Sequence, residues 1–328
     1  MNKIGVKILG TGSFLPERIL TNADLEKIVQ TSDEWITTRT GIKERRIVDD
    51  SVATSDIAIK AAKKALEEAN IAPEDLDAII VATITPDMSF PSTACFVQKE
   101  LGASKAFAFD MSAACTGFIY GLGVAKGLIE SGSCSKVLLI GAETLSKITD
   151  WQDRNTCVLL GDGAGAIVLG ATTQESSILS IYLGSDGNYW DLLKLPAGGS
   201  RNPASLKTIE DRLHYMKMEG KEVFKVAVTK MADAAKKALE AANLTANDVS
   251  LLIPHQANLR IVEAIAKRME FPLDKVFINL QKYGNMSSAT TIVAFDEARK
   301  EGRLKQGDIV ELVAFGGGFT WGAAVLKV

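Results

Sequence analysis

The sequence predicts an α/β fold made of two duplicated halves related by a pseudo-twofold axis. Three observations predict it: a repeated helix–loop–strand segment, the same run of strand, helix and strands after each copy, and a near-constant spacing between matched positions. Residues 61–83 read AAKKALEEANIAPEDLDAIIVAT and residues 234–256 read AAKKALEAANLTANDVSLLIPHQ; the first seven are identical and the apolar pattern continues beyond them. AAKKALE is also an ordinary helical composition, so the repeat gains weight from the elements that come after each copy. A buried strand at 5–9 is expected to open the chain and to end in a Gly-Thr-Gly turn. In the first half the pattern gives a strand at 105–110, a helix at 116–131 and strands at 136–141 and 165–169. In the second half it gives a strand at 275–279, a helix at 287–301 and strands at 309–314 and 323–328. The expected halves are residues 1–172 and 173–328.

With 328 residues, 47% of them hydrophobic and 23% charged, the chain can bury a large core. A net charge of −3 gives no whole-chain attraction to nucleic acid or an anionic membrane. No apolar run reaches the roughly 18 residues that span a bilayer, and the first residues lack the apolar core and cleavage site of a signal peptide. Cys95, Cys115, Cys134 and Cys157 form no CxxC pair, which suits a cytoplasmic protein with free thiols. The two histidines, His214 and His255, lie far apart in sequence, so no metal-ligand spacing is present. Gly161-Asp-Gly-Ala-Gly-Ala leads into a strand, whereas a dinucleotide-binding turn leads into a helix. No GxSxG elbow occurs.

Aligning Gly132 on Gly302 gives an offset of 170 residues, which carries Cys115 onto Asn285. Both then begin the equivalent helix of their half, while His255 follows the strand equivalent to the one ending near Thr83. Ligands of α/β folds collect at strand C-termini and helix N-termini. Cys115 follows a strand and a turn of small residues, where a helix N-terminus would favour a thiolate able to attack a thioester; a buried cysteine that only fills space is the alternative. Asn285 could send an amide into a site or serve as a helix cap, and His255 could be catalytic or structural. His214 sits in a charged stretch expected to be solvated. Phe315-Gly-Gly-Gly-Phe could turn backbone N–H groups toward an oxyanion or be a plain hairpin turn.

Asp110–Gly117, Pro254–Arg260, Tyr283-Gly-Asn285, Phe315–Gly322 and Thr31–Gly41 together resemble the 3-oxoacyl-[acyl-carrier-protein] synthase III family, the initiating condensing enzymes of type II fatty acid synthesis, and cover essentially the whole chain in order. The resemblance implies the thiolase-like five-layered αβαβα fold. It implies an acyltransferase that condenses an acyl-CoA primer, acetyl-CoA foremost, with malonyl-acyl carrier protein and needs no cofactor beyond these substrates. Cys115 matches the nucleophile, and His255 and Asn285 the pair that stabilises the malonyl-derived enolate. The N–H groups of Cys115 and Gly317 match the oxyanion hole. Thr31, Trp35, Arg39, Arg154, Phe224 and Asn258 match CoA- and substrate-binding positions. Arg260 matches a carrier-protein docking residue, and Phe90 a residue that closes the partner's acyl pocket in a homodimer. Elongating relatives use two histidines; the place of His214 makes Cys-His-Asn the consistent branch. A polyketide or quinolone-type starter synthase is the alternative, and a non-catalytic partner subunit or a thioester hydrolase a more remote one. Residues 202–217 are longer than the common pattern and precede Met218-Glu-Gly220, so they bear on channel shape.

Overall fold

The computed structural model describes residues 4–328. Nine strands carry the two main sheets: β1 (Gly5–Phe14), β2 (Ala78–Ala82), β3 (Phe107–Met111), β4 (Lys136–Thr144), β5 (Asp162–Thr172), β6 (Ile178–Ser185), β7 (Leu251–Pro254), β8 (Ile309–Gly316) and β9 (Thr320–Lys327). Seven helices matter to the site: α1 (Asp33–Thr40), α2 (Thr54–Ala69), α3 (Thr93–Leu101), α4 (Gly117–Glu130), α5 (Gly220–Ala241), α6 (Leu259–Arg268) and α7 (Ala289–Lys300).

The first sheet has the order β1-β5-β4-β2-β3 and the second β7-β8-β9-β6. In each, a short buried strand runs parallel to the next (β2 with β4, β7 with β8), which then turns into an antiparallel pair. Helices α2 and α3 cover one face of the first sheet, α5 and α6 the outer face of the second, and α4 and α7 lie between the sheets. The result is the pair of α/β halves expected from the repeat, stacked in the five-layered αβαβα arrangement that the family resemblance implies.

The repeated segments occupy equivalent places. Helix α2 buries Ile57, Ala58, Ala61, Ala62, Ala65 and Leu66, and α5 buries Met231, Ala234, Ala235, Ala238 and Leu239, the spacing of one helical face. Each fully buried Leu or Ile contributes about 1.5–3 kcal/mol. Asn70 and Asn243 follow these helices at φ 53° and 57°, and Gly132 and Gly302 follow α4 and α7 at φ 79° and 70°. The duplication thus extends to the backbone conformations that end the helices.

Two expected elements differ. Gly10-Thr11-Gly12 is no turn: β1 runs on to Phe14, with a register shift between Ile8 and Gly10. The glycines are there because α2 lies directly on the strand; a Cβ at Gly10 would sit 2.5 Å from the Ala65 carbonyl oxygen, and one at Gly12 2.5 Å from that of Ala61. The strand expected at 275–279 is reduced to one bridge, Leu252 to Val276. Val276 and Phe277 are buried as a strand's residues would be, but Leu273–Lys275 forms a short 3-10 turn and the backbone leaves the sheet beyond the bridge.

Candidate active site

Cys115 lies in a 3-10 turn, Ala114–Thr116, between the end of β3 and the start of α4. Ala114 takes φ 47°, the left-handed region that costs a non-glycine residue roughly 1–2 kcal/mol. The strain is held from across the pseudo-axis: Gly316, at the end of β8, packs so close that a Cβ there would lie 2.6 Å from the Cys115 nitrogen. Thr320 adds a hydrogen bond from its hydroxyl to the Ala113 carbonyl at 2.9 Å. Gly317 follows in the same hairpin turn, beside Ala114.

The thiol is 9% exposed. Burial pushes it up from 9.0 to about 12, and the neighbouring Ser287 side chain pulls the other way. The expected thiolate is therefore not the resting form, because desolvation outweighs the helix N-terminus.

His255 follows β7 directly and is anchored by its N–H to the Val313 carbonyl at 2.7 Å. It is 5% exposed, and burial pushes its imidazole down from 6.5 to about 3, so it is neutral near pH 7. Its Nδ1 lies 2.6 Å from Thr290 Oγ1, and Thr290 Oγ1 is also 2.9 Å from the Ser287 carbonyl. The hydroxyl has one hydrogen; the Ser287 carbonyl already accepts the Thr290 backbone N–H at 3.2 Å, and 2.6 Å suits an O–H donor to nitrogen better than an N–H donor to oxygen. Thr290 is thereby assigned as donor to Nδ1, which puts the imidazole proton on Nε2.

Asn285 precedes α7. Its backbone N–H donates to the Leu159 carbonyl at 2.8 Å and its carbonyl accepts from the Gly161 N–H at 2.9 Å. Its side-chain Oδ1 accepts from the Ser287 N–H at 2.8 Å, which fixes the amide with Nδ2 as the free donor.

Cys115, His255 and Asn285 line one cavity of ≈ 740 Å³. Trp35, Arg39, Phe224, Asn258 and Arg260 line it as well. Both the Arg39 and Arg154 guanidiniums lie over the Trp35 ring, at 4.7 and 4.6 Å from its centroid. Arg154 itself does not line the cavity; it donates to the Gln30 carbonyl at 3.2 Å. Asn258 caps α6, accepting from the Arg260 N–H at 2.9 Å, and donates to the Arg39 carbonyl at 3.1 Å, so it ties the two basic residues together. Thr31 precedes the α1 cap Ser32 and lies off the cavity lining, with its hydroxyl buried and unpartnered. Gly317 and Phe90 are off the lining too, and Phe90 is 84% exposed.

Residues 202–217 fold over Asp150: Arg212 Nε and Nη2 both bond its carboxylate, and Lys217 reaches it at 3.4 Å. This strap delivers Met218 and Glu219 to the cavity lining but lines none of it. His214 is half-buried against Tyr215, not solvated as expected, and stays outside the site. Reading the sequence missed Thr290, Ser287 and the cavity-lining Lys221 and Lys225. Only the lysine pair carried a signal, two cations four residues apart on the first turns of a helix.

A duplicated αβαβα scaffold with one deep cavity between its halves defines a thiolase-fold acyltransferase. Family models described as 3-oxoacyl-[acyl-carrier-protein (ACP)] synthase III and its C-terminal part match residues 109–187 and 239–328. The chain is 61% identical to a beta-ketoacyl-[acyl-carrier-protein] synthase III of Caldanaerobacter subterraneus, over 99% of this chain and 98% of that protein. It superposes on the crystal structure of the Aquifex aeolicus 3-oxoacyl-[acyl-carrier-protein] synthase III with a TM-score of 0.92 at 51% identity, over 99% and 100% of the two chains. The priming beta-ketosynthase of the R1128 polyketide pathway gives a TM-score of 0.92 at 33% identity, over 100% and 97%. The chain belongs to the beta-ketoacyl-[acyl-carrier-protein] synthase III family and is a condensing acyltransferase of fatty acid biosynthesis.

Proposed function

We propose that the protein joins an acetyl group from acetyl-CoA to the malonyl unit of malonyl-acyl carrier protein, releasing CoA and CO2, with Cys115, His255 and Asn285 as its catalytic residues. The observation that carries this reading is the single cavity on which all three side chains open. The Cys115 sulfur attacks the thioester carbonyl, and the N–H groups of Cys115 and Gly317 receive the developing oxyanion. The CoA sulfur leaves and takes up the proton that the thiol gives up, so this half-reaction consumes none. Malonyl then loses CO2. His255 Nε2–H and Asn285 Nδ2 donate to the thioester oxygen and hold the enolate, whose carbon attacks the acyl-cysteine. Cys115 leaves as a thiolate and recovers a proton from water. Neutral imidazole suits this step, which needs a hydrogen-bond donor and no net charge.

Trp35 offers a ring for adenine, Arg39 and Arg154 offer charge to phosphates, and Thr31, Phe224 and Asn258 complete the CoA channel. Arg260, exposed beside the cavity mouth, would meet the acidic carrier protein. The halves divide at residues 172 and 173, a reading supported by β5 ending at Thr172 and β6 starting at Ile178. The protein acts in the cytoplasm as a homodimer, with Phe90 reaching the partner's acyl pocket. The outer edge of β3, without a pairing strand among the described residues, and its exposed Phe107 support a second copy there.

Incubation with labelled acetyl-CoA tests the reading. Label appears on Cys115, is lost in Cys115→Ala, and persists in Asn285→Ala, which fails at condensation. Absence of label from wild-type Cys115, or equal loss of both steps in Asn285→Ala, refutes it.

A further inference from the structure

The buried carboxyl group beneath the nucleophile has no part in the steps above. Glu143 is the penultimate residue of β4, is fully buried and has no cationic partner among the described residues. Its Oε2 accepts from Thr85 Oγ1 at 2.7 Å, from Thr83 Oγ1 at 3.1 Å and from the Ile84 N–H at 3.1 Å. That N–H lies slightly farther, 3.3 Å, from Oε1. Oε1 faces Ser288 Oγ at 3.0 Å, and Ser288 Oγ lies 2.8 Å from the Ala82 carbonyl.

A serine hydroxyl has one hydrogen, and a carbonyl can only accept. Ser288 therefore donates to Ala82 at the shorter distance. The hydrogen for the Oε1–Ser288 contact then has to come from Glu143. Donors gathered on Oε2 and a bare hydroxyl oxygen facing Oε1 is the pattern of a carboxylic acid, not of a carboxylate. Ser287 Oγ, buried and without a hydrogen-bond partner, lies beside both this group and the Cys115 thiol.

We propose that Glu143 is a positioning residue that works as a neutral acid: it donates to Ser288, clamps the start of α7 to the turn after β2, and leaves the floor beneath Cys115 uncharged. The inference rests on Cys115 as the nucleophile. Burial, which pushes the Glu143 carboxyl up, favours the same protonation state. An ionised Glu143 would instead oppose the thiolate that must form for acyl transfer. The proton stays on Glu143 throughout the cycle, so no step transfers it.

Three variants test this. Glu143→Ala is expected to slow labelling of Cys115 by acetyl-CoA about tenfold or more, since three buried donors lose their acceptor. Glu143→Gln is expected to restore it to within about threefold, because an amide can turn its NH2 to Ser288 and its oxygen to the three donors. The infrared difference between wild type and Glu143→Gln should contain the C=O band of a carboxylic acid at neutral pH. If Glu143→Gln does not fold, Ser288→Ala serves instead: it removes the acceptor of the acid proton and should shift that band. Failure of Gln to rescue a folded protein, or absence of an acid band that responds to either variant, overturns the proposal. An unlabelled wild-type Cys115 would refute the nucleophile assignment, a different failure read in the control.

Discussion

Replacing Thr290 by valine removes one hydroxyl and keeps the side chain's shape. In the wild-type protein that hydroxyl lies 2.6 Å from His255 Nδ1 and 2.9 Å from the Ser287 carbonyl. With valine, Nδ1 is left buried with no donor, and the ring is free to carry its proton there and turn an unprotonated Nε2 toward the cavity. An unsatisfied buried group costs about 1–3 kcal/mol. If that cost falls on the Nε2–H form, decarboxylation of malonyl-carrier protein slows roughly five- to hundredfold. Acylation of Cys115 uses neither His255 nitrogen and should change by less than about twofold. The assay follows the two half-reactions apart: label transfer from acetyl-CoA to Cys115, and CO2 release from malonyl-carrier protein on pre-acylated enzyme. Thr290→Ser should restore CO2 release, because it returns the donor. Equal slowing of both half-reactions in Thr290→Val, or no rescue by serine, would refute the tautomer assignment and reduce Thr290 to a packing residue.

The same geometry sets three other expectations. Because the Cys115 thiol is pushed up to about 12, its alkylation by iodoacetamide should keep rising from about pH 7 to 9, and a plateau near neutrality would show a stabilised resting thiolate. Gly316→Ala would bring a Cβ to 2.6 Å from the Cys115 nitrogen, so acylation should fall by about tenfold or more with the protein still folded; unchanged acylation would remove Gly316 from the site's support. Glu311 on β8 is buried with neither oxygen bonded, and burial raises its carboxyl from 4.5 to about 8. A raised folded-state value means stability is full below 4.5 and declines as pH climbs through 8, when the unfolded chain can ionise and the native one resists. Glu311→Met should therefore gain stability over wild type as pH rises from 4.5 to 8, about 5 kcal/mol in all and about 1.4 kcal/mol of it above pH 7. His255 titrates the other way and only below 6.5, so denaturant unfolding from about pH 7 to 9 isolates Glu311; parallel curves for the two proteins would contradict the neutral carboxyl.

The duplication was legible because helix and strand periodicities survive in residues 61–83 and 234–256, but the offset taken from Gly132 and Gly302 misplaced the helix starts: the left-handed Ala114 and Ser287, at φ 47° and 46°, are the matched pair, so the counterpart of Cys115 is Ser288 and Asn285 lies three residues before it. Where periodicity was absent, the reading failed for a local reason. Gly10-Thr11-Gly12 looks like a turn in any single sequence, and only the contact with α2 shows that the glycines make room for a helix. Residues 275–279 have strand-like composition, but a strand needs pairing, and the backbone there keeps a single bridge. The thiolate expected of Cys115 came from a rule about helix termini, which cannot register how completely the surrounding layers exclude water. Thr290, Ser287 and Glu143 carried no spacing signal because each acts on a residue far away in sequence or through the backbone.

The pseudo-twofold axis also explains why the site is asymmetric. Ile140 of β4 pairs opposite Val81 of β2, and Val313 of β8 opposite Pro254 of β7. Three residues beyond each pairing lie Glu143 and Gly316, which are therefore equivalent. Each lies at the end of its strand, Gly316 last and Glu143 next to last, against the helix start of the other half: Gly316 against the Cys115 backbone, Glu143 against Ser288. One position thus takes two opposite solutions. Beside Cys115 the absence of a side chain lets the β8 backbone approach the Cys115 nitrogen. Beside α7 a full carboxyl fills the same place and pins the turn from which Asn285 projects. Had both halves kept glycine, Ser288 would lose its carboxyl partner, while Asn285 would keep only its own bonds to Leu159, Gly161 and Ser287; had both kept glutamate, Cys115 would lose the close approach of β8. The positions matched to Cys115 and His255, which are Ser288 and Ala82, differ from them as well, so the asymmetry of the site is built at several matched positions.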